Sequence, residues 1–457
     1  MNNFFRYYFL GIGGIGMSAL ARYFNAKGFP VAGYDRTATP LTTSLENEGI
    51  EVIYDESVIA IPEQYTQAGT TLVVITPAIP EDHPQLKYFR KNNFTIQKRA
   101  QVLGNITRQQ LGICIAGTHG KTTTSTITAH LLYQSHVSCN AFLGGIANNY
   151  QNNLLLSKDS NLVVIEADEY DRSFHQLTPY MAAITSIDAD HLDIYETKDA
   201  FRESFEHFTS LIKPGGVLIL HKNIELTPKL NKGVKLYTYS LDQGGDFHAE
   251  NIRNQKDRLY FDFVSPTERI NDLYLTVPML INVENSIAAI ALAWLNGVSS
   301  EEIRTNISSF SGIYRRFNTV YKSDKIIYMD DYAHHPSEIK ASIKSIKNLY
   351  PELKLTGIFQ PHLYSRTRDF ADEFAEALSA LDELILLDIY PAREKPIPGV
   401  SSKLIFDKVN LKNKTLCSKE NLLPLLKERK MELLVTLGAG DIDQLVPQIK
   451  EQLKSCL

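Results

Sequence analysis

Residues 111–124 read LGICIAGTHGKTTT, in which an apolar run is followed by a glycine-containing turn and a helix-like stretch. The strict phosphate-loop pattern would place a glycine at position 115, where this chain has Ile115. The functional core of that pattern is nevertheless present. Gly120 permits close backbone approach, Lys121 supplies charge for the β- and γ-phosphates, and Thr122 offers a hydroxyl to Mg²⁺. The segment therefore predicts an ATP-binding loop between a strand and a helix.

A second glycine-rich turn lies near the start of the chain, where residues 7–16 read YYFLGIGGIG. Gly11, Gly13 and Gly16 follow an apolar strand and precede a helix-like stretch, and Asp35 lies nineteen positions after Gly16. This spacing is typical of a dinucleotide-binding turn, whose glycines let the backbone approach a pyrophosphate at a helix N-terminus. The turn predicts a site for a nucleotide diphosphate, and it does not select NAD over other nucleotides.

The composition of the 457-residue chain is that of a folded protein with several domains. At about 100–200 residues per domain, the length corresponds to roughly two to four domains. Hydrophobic residues make up 44% and charged residues 22%, which excludes a mainly disordered or fibrous chain. The formal net charge of −5 argues against a nucleic-acid partner, which needs a basic surface. No apolar run approaches the roughly 18–20 residues of a membrane span, so we expect no membrane association.

The cysteines and the N-terminus indicate a reducing compartment. The chain has four widely separated cysteines, which form neither a metal-ligand spacing nor a dense disulfide frame. The first residues, MNNFFRYYFLGIGG, lack the basic segment and small-residue cleavage site of a signal peptide. We therefore expect a cytoplasmic protein with reduced thiols.

The order of apolar and amphipathic segments predicts an α/β fold. Short runs rich in Val, Ile and Tyr alternate with longer amphipathic stretches, which is typical of βαβ units and a mostly parallel sheet. This pattern starts three times along the chain. Residues 222–278 alternate strand-like pieces with polar turns and predict a β-rich insertion, and residues 281–295 predict a buried helix. A domain boundary is expected between residues 310 and 325.

Acidic residues follow the next two predicted strands of the middle block. Because ligands bind beyond the carboxyl ends of parallel strands, these acids are candidates for Mg²⁺ ligands beside the phosphate loop. We favour Glu166 and His191, since each directly follows its strand or strand-end turn. The full set is Glu166, Asp168, Glu169 and Asp171, then Asp188, Asp190, His191 and Asp193.

A third group of polar residues lies in the last block. Arginine binds carboxylate and phosphate through two parallel hydrogen bonds, so a basic loop facing the phosphate loop could hold a transferring phosphate or a carboxylate substrate. Single arginines of this kind are often only surface ion-pair partners. The residues are Arg315, Arg316, Asp330, Asp331, Tyr332, His334, His335, His362, Arg366 and Arg368.

Two phosphate-binding loops in separate α/β units imply two different nucleotide-like ligands. This arrangement suits ATP-driven activation of a carboxylate on a nucleotide-linked substrate. One alternative is a NAD-linked oxidoreductase or epimerase, which leaves the GTHGKTTT segment unexplained. A second alternative is a nucleotide-binding regulatory switch, which leaves the basic last block unexplained.

The ordered set of motifs GTHGKTTT, EADEYDRSF, DADHLDIY, DDYAHHP and FQPHLYSRTRD resembles the Mur ligase family. The resemblance spans nearly the whole chain. It implies a Rossmann-like UDP-sugar-binding domain at 1–107, a P-loop ATPase-like domain at 108–314 and a Rossmann-like amino-acid-binding domain at 315–457. The opening FLGIGGIGMSALA is similar to that of members that join L-alanine to UDP-N-acetylmuramate through an acyl phosphate, with ATP and Mg²⁺.

The resemblance also implies roles for individual residues. For UDP-sugar binding these are Gly11, Gly13, Gly14 and Gly16. For ATP binding they are Gly117, Thr118, His119, Gly120, Lys121, Thr122, Thr123, Asn285, Arg316 and Asp331. Metal ligands are expected at Thr122, Glu166 and His191, and the amino acid is expected at His335, His362 and Arg366. The catalytic set is Lys121, His191 and Arg366.

Two departures from the family pattern affect these expectations. Many relatives read QPHRYTRT, whereas this chain has Leu363 in place of the arginine, which makes Arg366 the better candidate for the amino-acid carboxylate. Several sister ligases carry a carbamylated lysine where this chain has Phe205, so none is expected here. The remaining alternative within the family is the recycling ligase, which attaches a tripeptide to the same sugar nucleotide.

Overall fold

The computed structural model describes residues 4–188, 192–255, 258–392 and 394–455. This part of the chain divides into two compact units. The first unit runs to Thr276 and takes in Ile281–Ser311, and the second consists of Val277–Leu280 and the chain from Gly312 onward. The first unit contains two sheets, and the second unit contains one.

The N-terminal part of the first unit is a parallel sheet with apolar residues buried on both faces. Tyr7 and Phe9 enter one buried cluster, whereas Tyr8 and Leu10 enter another, because alternate residues of a strand face opposite sides. The elements are β1 (Arg6–Leu10), α1 (Ile15–Ala26), β2 (Val31–Tyr34), α2 (Pro40–Asn47), β3 (Glu51–Ile53), β4 (Thr71–Ile75), α3 (Pro84–Lys91), β5 (Thr95–Lys98) and α4 (Arg99–Gln109). The strand order is β3-β2-β1-β4-β5.

The rest of the first unit is built on a larger sheet. Its elements are β6 (Leu111–Ala116), α5 (Lys121–Tyr133), β7 (Asn140–Ala147), β8 (Asn152–Leu155), β9 (Leu162–Ala167), β10 (Pro179–Ile184), α6 (Leu192–Tyr195), α7 (Lys198–Ser210), β11 (Val217–His221), β12 (Lys235–Ser240), β13 (Phe247–Gln255), β14 (Arg258–Val264), β15 (Arg269–Leu275), α8 (Leu280–Leu295) and α9 (Ser300–Ser309). The strand order is β15-β14-β13-β12-β11-β10-β6-β9-β7-β8.

The predicted β-rich insertion is an extension of this sheet. Strands β12 to β15 continue it beyond β11, first in parallel and then in antiparallel pairs. The buried helix predicted at 281–295 is confirmed as α8, whose apolar residues from Ile287 to Ala293 are excluded from solvent. The capping box that begins α9 joins Ser299 and Glu302.

The second unit has a mostly parallel sheet with a buried apolar cluster on each face. Its elements are β16 (Asn318–Lys322), β17 (Ile327–Asp331), α10 (Pro336–Leu349), β18 (Leu355–Phe359), α11 (Tyr364–Asp369), α12 (Ala371–Leu378), β19 (Glu383–Leu387), α13 (Lys403–Lys408), β20 (Lys414–Cys417), α14 (Leu422–Lys427), β21 (Leu433–Leu437) and α15 (Val446–Ser455). The strand order is β16-β17-β21-β18-β19-β20, in which β16 alone is antiparallel to its neighbour.

The predicted α/β class with three mostly parallel sheets is confirmed. The apolar runs at 31–34 and 111–116 predict strands, and β2 and β6 begin and end at those residues. The apolar run at 181–187 predicts a strand that extends beyond β10, which ends at Ile184. Thr185 follows the strand, and its hydroxyl donates to the carbonyl oxygens of Ala116, at the end of β6, and of His119, in the phosphate loop. Glu166 and Asp331, predicted to follow their strands, instead lie within β9 and β17. None of the described helices has both the length and the apolar character of a membrane span.

Helix α1 also connects the two sheets of the first unit through a buried arginine. Arg22 is 5% exposed, and its Nε donates to Oε2 of Glu48 at 2.7 Å. Its Nη1 donates to Oδ1 of Asn153, which lies in β8, at 2.5 Å. Arg22 therefore bonds at once to the C-cap residue of α2 and to a strand of the larger sheet.

Replacing Arg22 by alanine would remove the guanidinium that pairs with the Glu48 carboxylate and that donates to the buried amide oxygen of Asn153. We expect Arg22→Ala to lower the free energy of unfolding of the first unit by about 2–3 kcal/mol, measured by urea denaturation. The control Arg90→Ala breaks an exposed pair with Glu81 and should leave the midpoint nearly unchanged. Equal midpoints for the two variants would contradict a structural role for Arg22.

Candidate active site

The loop after β6 has glycines at positions where a side chain does not fit. Gly117 has φ +140°, and a Cβ there would overlap the hydroxyl of Thr185. Gly120 has φ +80°, and a Cβ there would lie 2.6 Å from Oδ1 of Asn285. Both backbone conformations favour glycine. These two positions let the loop turn tightly from β6 into α5, which begins at Lys121.

Lys121 forms a buried ion pair with Glu169. Its Nζ lies 2.7 Å from Oε2 of Glu169 and donates to the carbonyl oxygen of Gly117 at 2.5 Å. Desolvation raises the pKa of Glu169 to about 7, and the ammonium group offsets only part of this effect. Desolvation lowers the pKa of Lys121, but the carboxylates of Glu169 and Glu166 outweigh it and the pKa is raised. Lys121 is therefore a charged ammonium at the phosphate loop.

Glu169 is the main site residue that the sequence did not single out. It is one of four acids in EADEYD, and Glu166 was favoured among them for its place after the strand. The positions of the four acids in the sequence do not tell which of them faces a lysine on another element. The sequence did indicate that one of them would, because a buried lysine ammonium such as that of Lys121 needs a carboxylate partner.

Glu166 points into a cavity between the two sheets of the first unit. Its Oε2 atom is buried and has no hydrogen-bond partner among the described residues. A Cβ on Gly144 of β7 would overlap this carboxylate, so only glycine leaves room for it. The cavity, of about 300 Å³, is lined by Gly14, Gly16, Arg99, Glu166 and Asp168, among others. It thus brings part of the first glycine turn next to an acid that was predicted to bind metal.

A second cavity, of about 620 Å³, lies next to the phosphate loop. It is lined by His119, Gly120 and Asn285, three of the residues predicted to bind ATP. The amide oxygen of Asn285 accepts from the hydroxyl of Thr124 at 3.3 Å. His221 and Tyr239 also line the cavity. Its size and mixed lining are those of a small-molecule site.

The other residues predicted to form the phosphate loop lie in the turn after β6 or on the first turn of α5. The hydroxyl of Thr118 donates to the carbonyl oxygen of Asp188 at 2.7 Å, and the amide of His119 donates to Oγ of Ser186 at 2.8 Å. Thr122 is buried and Thr123 is half-buried on the first turn of α5.

In the first glycine turn, four backbone amides already have acceptors. Those of Gly11 and Ile12 donate to Tyr34, and that of Gly14 donates to Gly11. The amide of Gly13 donates to Oδ2 of Asp35 at 2.7 Å. The aspartate that completed the sequence pattern therefore stabilises the turn itself.

The predicted metal site is only partly described. His191 lies outside the described residues. Among the residues that are described, no group of three or more His, Cys, Asp or Glu side chains is arranged to hold a metal ion. The buried oxygen of Glu166 is nevertheless of the type that Mg²⁺ prefers, and burial without a donor favours a cation there. Among the described residues, Glu166 therefore offers one ligand that suits Mg²⁺.

In the second unit, the two arginines of YRRF have different surroundings. Arg315 lies 3.3 Å from Asp443 and donates to the carbonyl oxygen of Gly438 at 2.6 Å. Arg316 lies over the ring of Tyr332 at 5.1 Å and attracts Asp331, a buried acid whose pKa is raised by burial. Arg315 is therefore held by polar groups of its own unit.

The residues predicted to bind the amino acid occupy neighbouring loops of the second unit. The rings of His334 and His362 are 6.2 Å apart, and His335 packs on Phe370 and lies 2.8 Å from Oγ of Ser337. Nη1 of Arg366 is buried and has no hydrogen-bond partner among the described residues. Such a group is expected to bind a ligand, because an unpaired buried donor is unfavourable.

Leu363, where relatives carry arginine, has an unusual backbone conformation. Its φ is +72° and its ψ is 137°, a region that residues other than glycine rarely adopt. Strain of this kind costs about 1–3 kcal/mol and concentrates at functional sites. The backbone between His362 and Arg366 therefore contains a residue in a strained conformation.

Comparison with known proteins identifies the family. Residues 6–111 match the profile described as Mur ligase family, catalytic domain. Residues 115–293 match the Mur ligase middle domain, and residues 315–440 match the Mur ligase, glutamate ligase domain. This chain belongs to the Mur ligase family. Members are ATP-dependent ligases, so ATP is a substrate of this chain.

Individual relatives of this Mur ligase are similar over almost its full length. A UDP-N-acetylmuramate–L-alanine ligase of Parabacteroides distasonis is 58% identical over 97% of this chain and 96% of its own. A UDP-N-acetylmuramate–L-alanine ligase of Porphyromonas gingivalis is 54% identical over 98% of this chain and 99% of its own. The crystal structure of a UDP-N-acetylmuramate–alanine ligase from Thermotoga maritima has a TM-score of 0.83 at 27% identity, covering 99% of this chain and 100% of that one.

The position of the Glu166 carboxylate can be tested through Gly144. Gly144→Ala should displace the carboxylate and lower kcat by about tenfold to a hundredfold, since small misplacements at an active site have effects of this size. Phosphate release from ATP at saturating substrates is the measurement. Gly69→Ala is the matched control, because a Cβ there meets no atom within 4 Å. A kcat like that of the control would show that the position of Glu166 is unimportant for turnover.

Proposed function

We propose that this chain joins L-alanine to the carboxylate of UDP-N-acetylmuramate, with conversion of ATP to ADP and phosphate, in the synthesis of peptidoglycan precursors. The curated relatives at 58% and 54% identity, which carry the name of this ligase, support the proposal. The structural observation that carries it is the cavity in which the first glycine turn, Glu166 and Arg99 meet. A sugar nucleotide bound at that turn would have its acid group near the ATP loop.

The recycling ligase is not favoured. A murein peptide ligase of Psychrobacter arcticus has a TM-score of 0.70 at 22% identity, which is a likeness of fold alone. The high-identity relatives, in contrast, carry the L-alanine ligase name.

The proposed reaction has two steps. A carboxylate oxygen of the muramate attacks the γ-phosphorus of ATP, and the bond from that phosphorus to the ADP oxygen breaks. The amine of L-alanine then attacks the acyl carbon and loses a proton, so that a C–N bond forms and phosphate leaves. Lys121 stabilises charge on the phosphoryl group during the first step.

The site residues of the central domain have complementary roles in this proposal. Thr122 and Glu166, with His191, would hold Mg²⁺, which when bound supplies positive charge to the phosphate oxygens. Glu169 positions Lys121 through their ion pair. Asn285 lines the cavity next to the phosphate loop, where the adenine would bind.

We assign the sugar nucleotide to domain 1–107, ATP to domain 108–314 and the amino acid to domain 315–457. Gly11, Gly13, Gly14 and Gly16 would bind the diphosphate, and Arg316 and Asp331 would contact ATP from the C-terminal domain. Arg366, with its buried unpaired nitrogen, is the proposed ligand of the alanine carboxylate, assisted by His335 and His362. We place the enzyme in the cytoplasm, where its nucleotide substrates are made.

A phosphate-release assay tests the function. The purified chain is mixed with ATP, Mg²⁺ and UDP-N-acetylmuramate, together with L-alanine, glycine, L-serine or the cell-wall tripeptide. We expect release of one phosphate per amide formed with L-alanine. Release with the tripeptide alone would instead identify the recycling ligase.

Removing the phosphate-loop ammonium should stop turnover without affecting the sugar-nucleotide site. We expect Lys121→Ala to show no measurable ligation, because the charge on the transferring phosphoryl group loses its nearest ammonium. Isothermal titration should still give binding of UDP-N-acetylmuramate close to that of the unchanged chain. Complete loss of that binding would contradict separate nucleotide sites.

Arg366→Ala should weaken the binding of the amino acid. Losing a charge-assisted carboxylate contact is expected to raise the KM for L-alanine by about tenfold to a hundredfold and to leave the KM for ATP nearly unchanged. Arg368→Ala is the matched control, because Arg368 is on the same short helix but is exposed and pairs with its neighbour Asp369. A rise mainly in the KM for ATP would assign Arg366 to the phosphate instead.

A further inference from the structure

Arg99 lies beside the first glycine turn although it is 83 positions later in the chain than Gly16. It is the first residue of α4, directly after β5. A Cβ on Gly16 would lie 2.9 Å from Nη1 of Arg99, so the guanidinium packs directly on this glycine. The side chain is 22% exposed, and its Nη2 lies 3.2 Å from Oδ2 of Asp168. Arg99 thus touches both the glycine turn and the acidic loop.

The glycine turn has few donors left for an anion. The amides of residues 11–14 donate within the turn, to Tyr34 or to Asp35. This leaves the amides of Ile15 and Gly16, which as the first residues of α1 have no intrahelical acceptor. Two amides and the partial positive charge of a helix N-terminus compensate only a small part of the negative charge of a diphosphate.

Arg99 is the one cation among the described residues that line this cavity. The other charged residues in its lining are Glu166 and Asp168. Without Arg99 the walls would carry only negative charge, which would repel a diphosphate. The guanidinium therefore decides whether the cavity accepts an anion.

We propose that Arg99 binds the diphosphate of the sugar nucleotide and that Asp168 orients its guanidinium toward Gly16. The inference rests on the proposed function, since it names a substrate-binding residue for that reaction. Arginine presents two parallel N–H groups, so it can contact phosphate oxygens while it keeps a bond to Asp168. The diphosphate is favoured over the muramate carboxylate because the guanidinium packs on Gly16 itself, at the start of α1.

A neighbouring ion pair provides a matched control. Lys98 and Asp171 connect the same two segments, with Nζ 2.6 Å from Oδ2. Their side chains are 54% and 38% exposed, and neither residue lines the cavity. Lys98→Ala therefore removes one tie between α4 and the acidic loop and leaves the cavity charge unchanged.

The experiment is isothermal titration of UDP and of UDP-N-acetylmuramate into the full chain and its variants. We expect Arg99→Ala to weaken both ligands by the same factor, about tenfold to a hundredfold. The affinity of Arg99→Lys should lie between those of the unchanged chain and Arg99→Ala, since lysine keeps the positive charge but lacks the two parallel N–H groups. Lys98→Ala should change either affinity by no more than about fivefold, and the ATP affinity of Arg99→Ala should be unchanged. Because an ionic contact is lost, UDP binding by Arg99→Ala should also depend less steeply on salt.

The possible results separate the explanations. Unchanged binding of UDP by Arg99→Ala would overturn the proposal, and weakening of UDP-N-acetylmuramate alone would assign Arg99 to the carboxylate. If Arg99→Ala weakened ATP binding as much as UDP binding, or if Lys98→Ala weakened UDP binding as much as Arg99→Ala, Arg99 would have only a structural role. If the unchanged chain binds UDP but releases no phosphate with L-alanine, the proposed function fails independently of Arg99.

Discussion

The register of the central parallel strands determines where the chemistry of this Mur ligase lies. β6 lies between β9 and β10, and Ile115 of β6 is paired with Glu166 of β9. Because parallel strands end at one edge of the sheet, the phosphate loop after β6 meets the acidic loop after β9. The buried ion pair between Lys121 and Glu169 joins these two loops. A shift of the register would separate the ammonium from its carboxylate.

The acidic segment EADEYD connects the two glycine loops of the first unit. Glu166 faces the cavity, Asp168 contacts Arg99 at the first glycine turn, and Glu169 contacts Lys121 at the phosphate loop. Charges in such a partly desolvated place act strongly on one another. Two neighbouring carboxylates of this segment, Asp168 and Glu169, can therefore set the positions of both cations that the two nucleotides would meet.

The second unit combines a rigid base with a strained loop. Asp330 is fully buried next to Arg315, and desolvation raises its pKa to about 6 although the guanidinium lies 3.6 Å away. This network fixes the end of β17. The loop that carries Leu363 and Arg366 lies after β18, two strands away in the sheet, and its backbone strain needs such support.

The sequence by itself determined the α/β class, the two glycine loops and several of the strands, because apolar periodicity and glycine spacing are local properties that the chain carries in order. It also predicted a phosphate loop around Lys121. Only the tertiary structure decided that Glu169 is the partner of Lys121, that Asp35 closes its own turn and that Arg99 lies on Gly16. These contacts join residues distant in the chain, and their selection depends on strand register and side-chain direction, which no spacing in the sequence records.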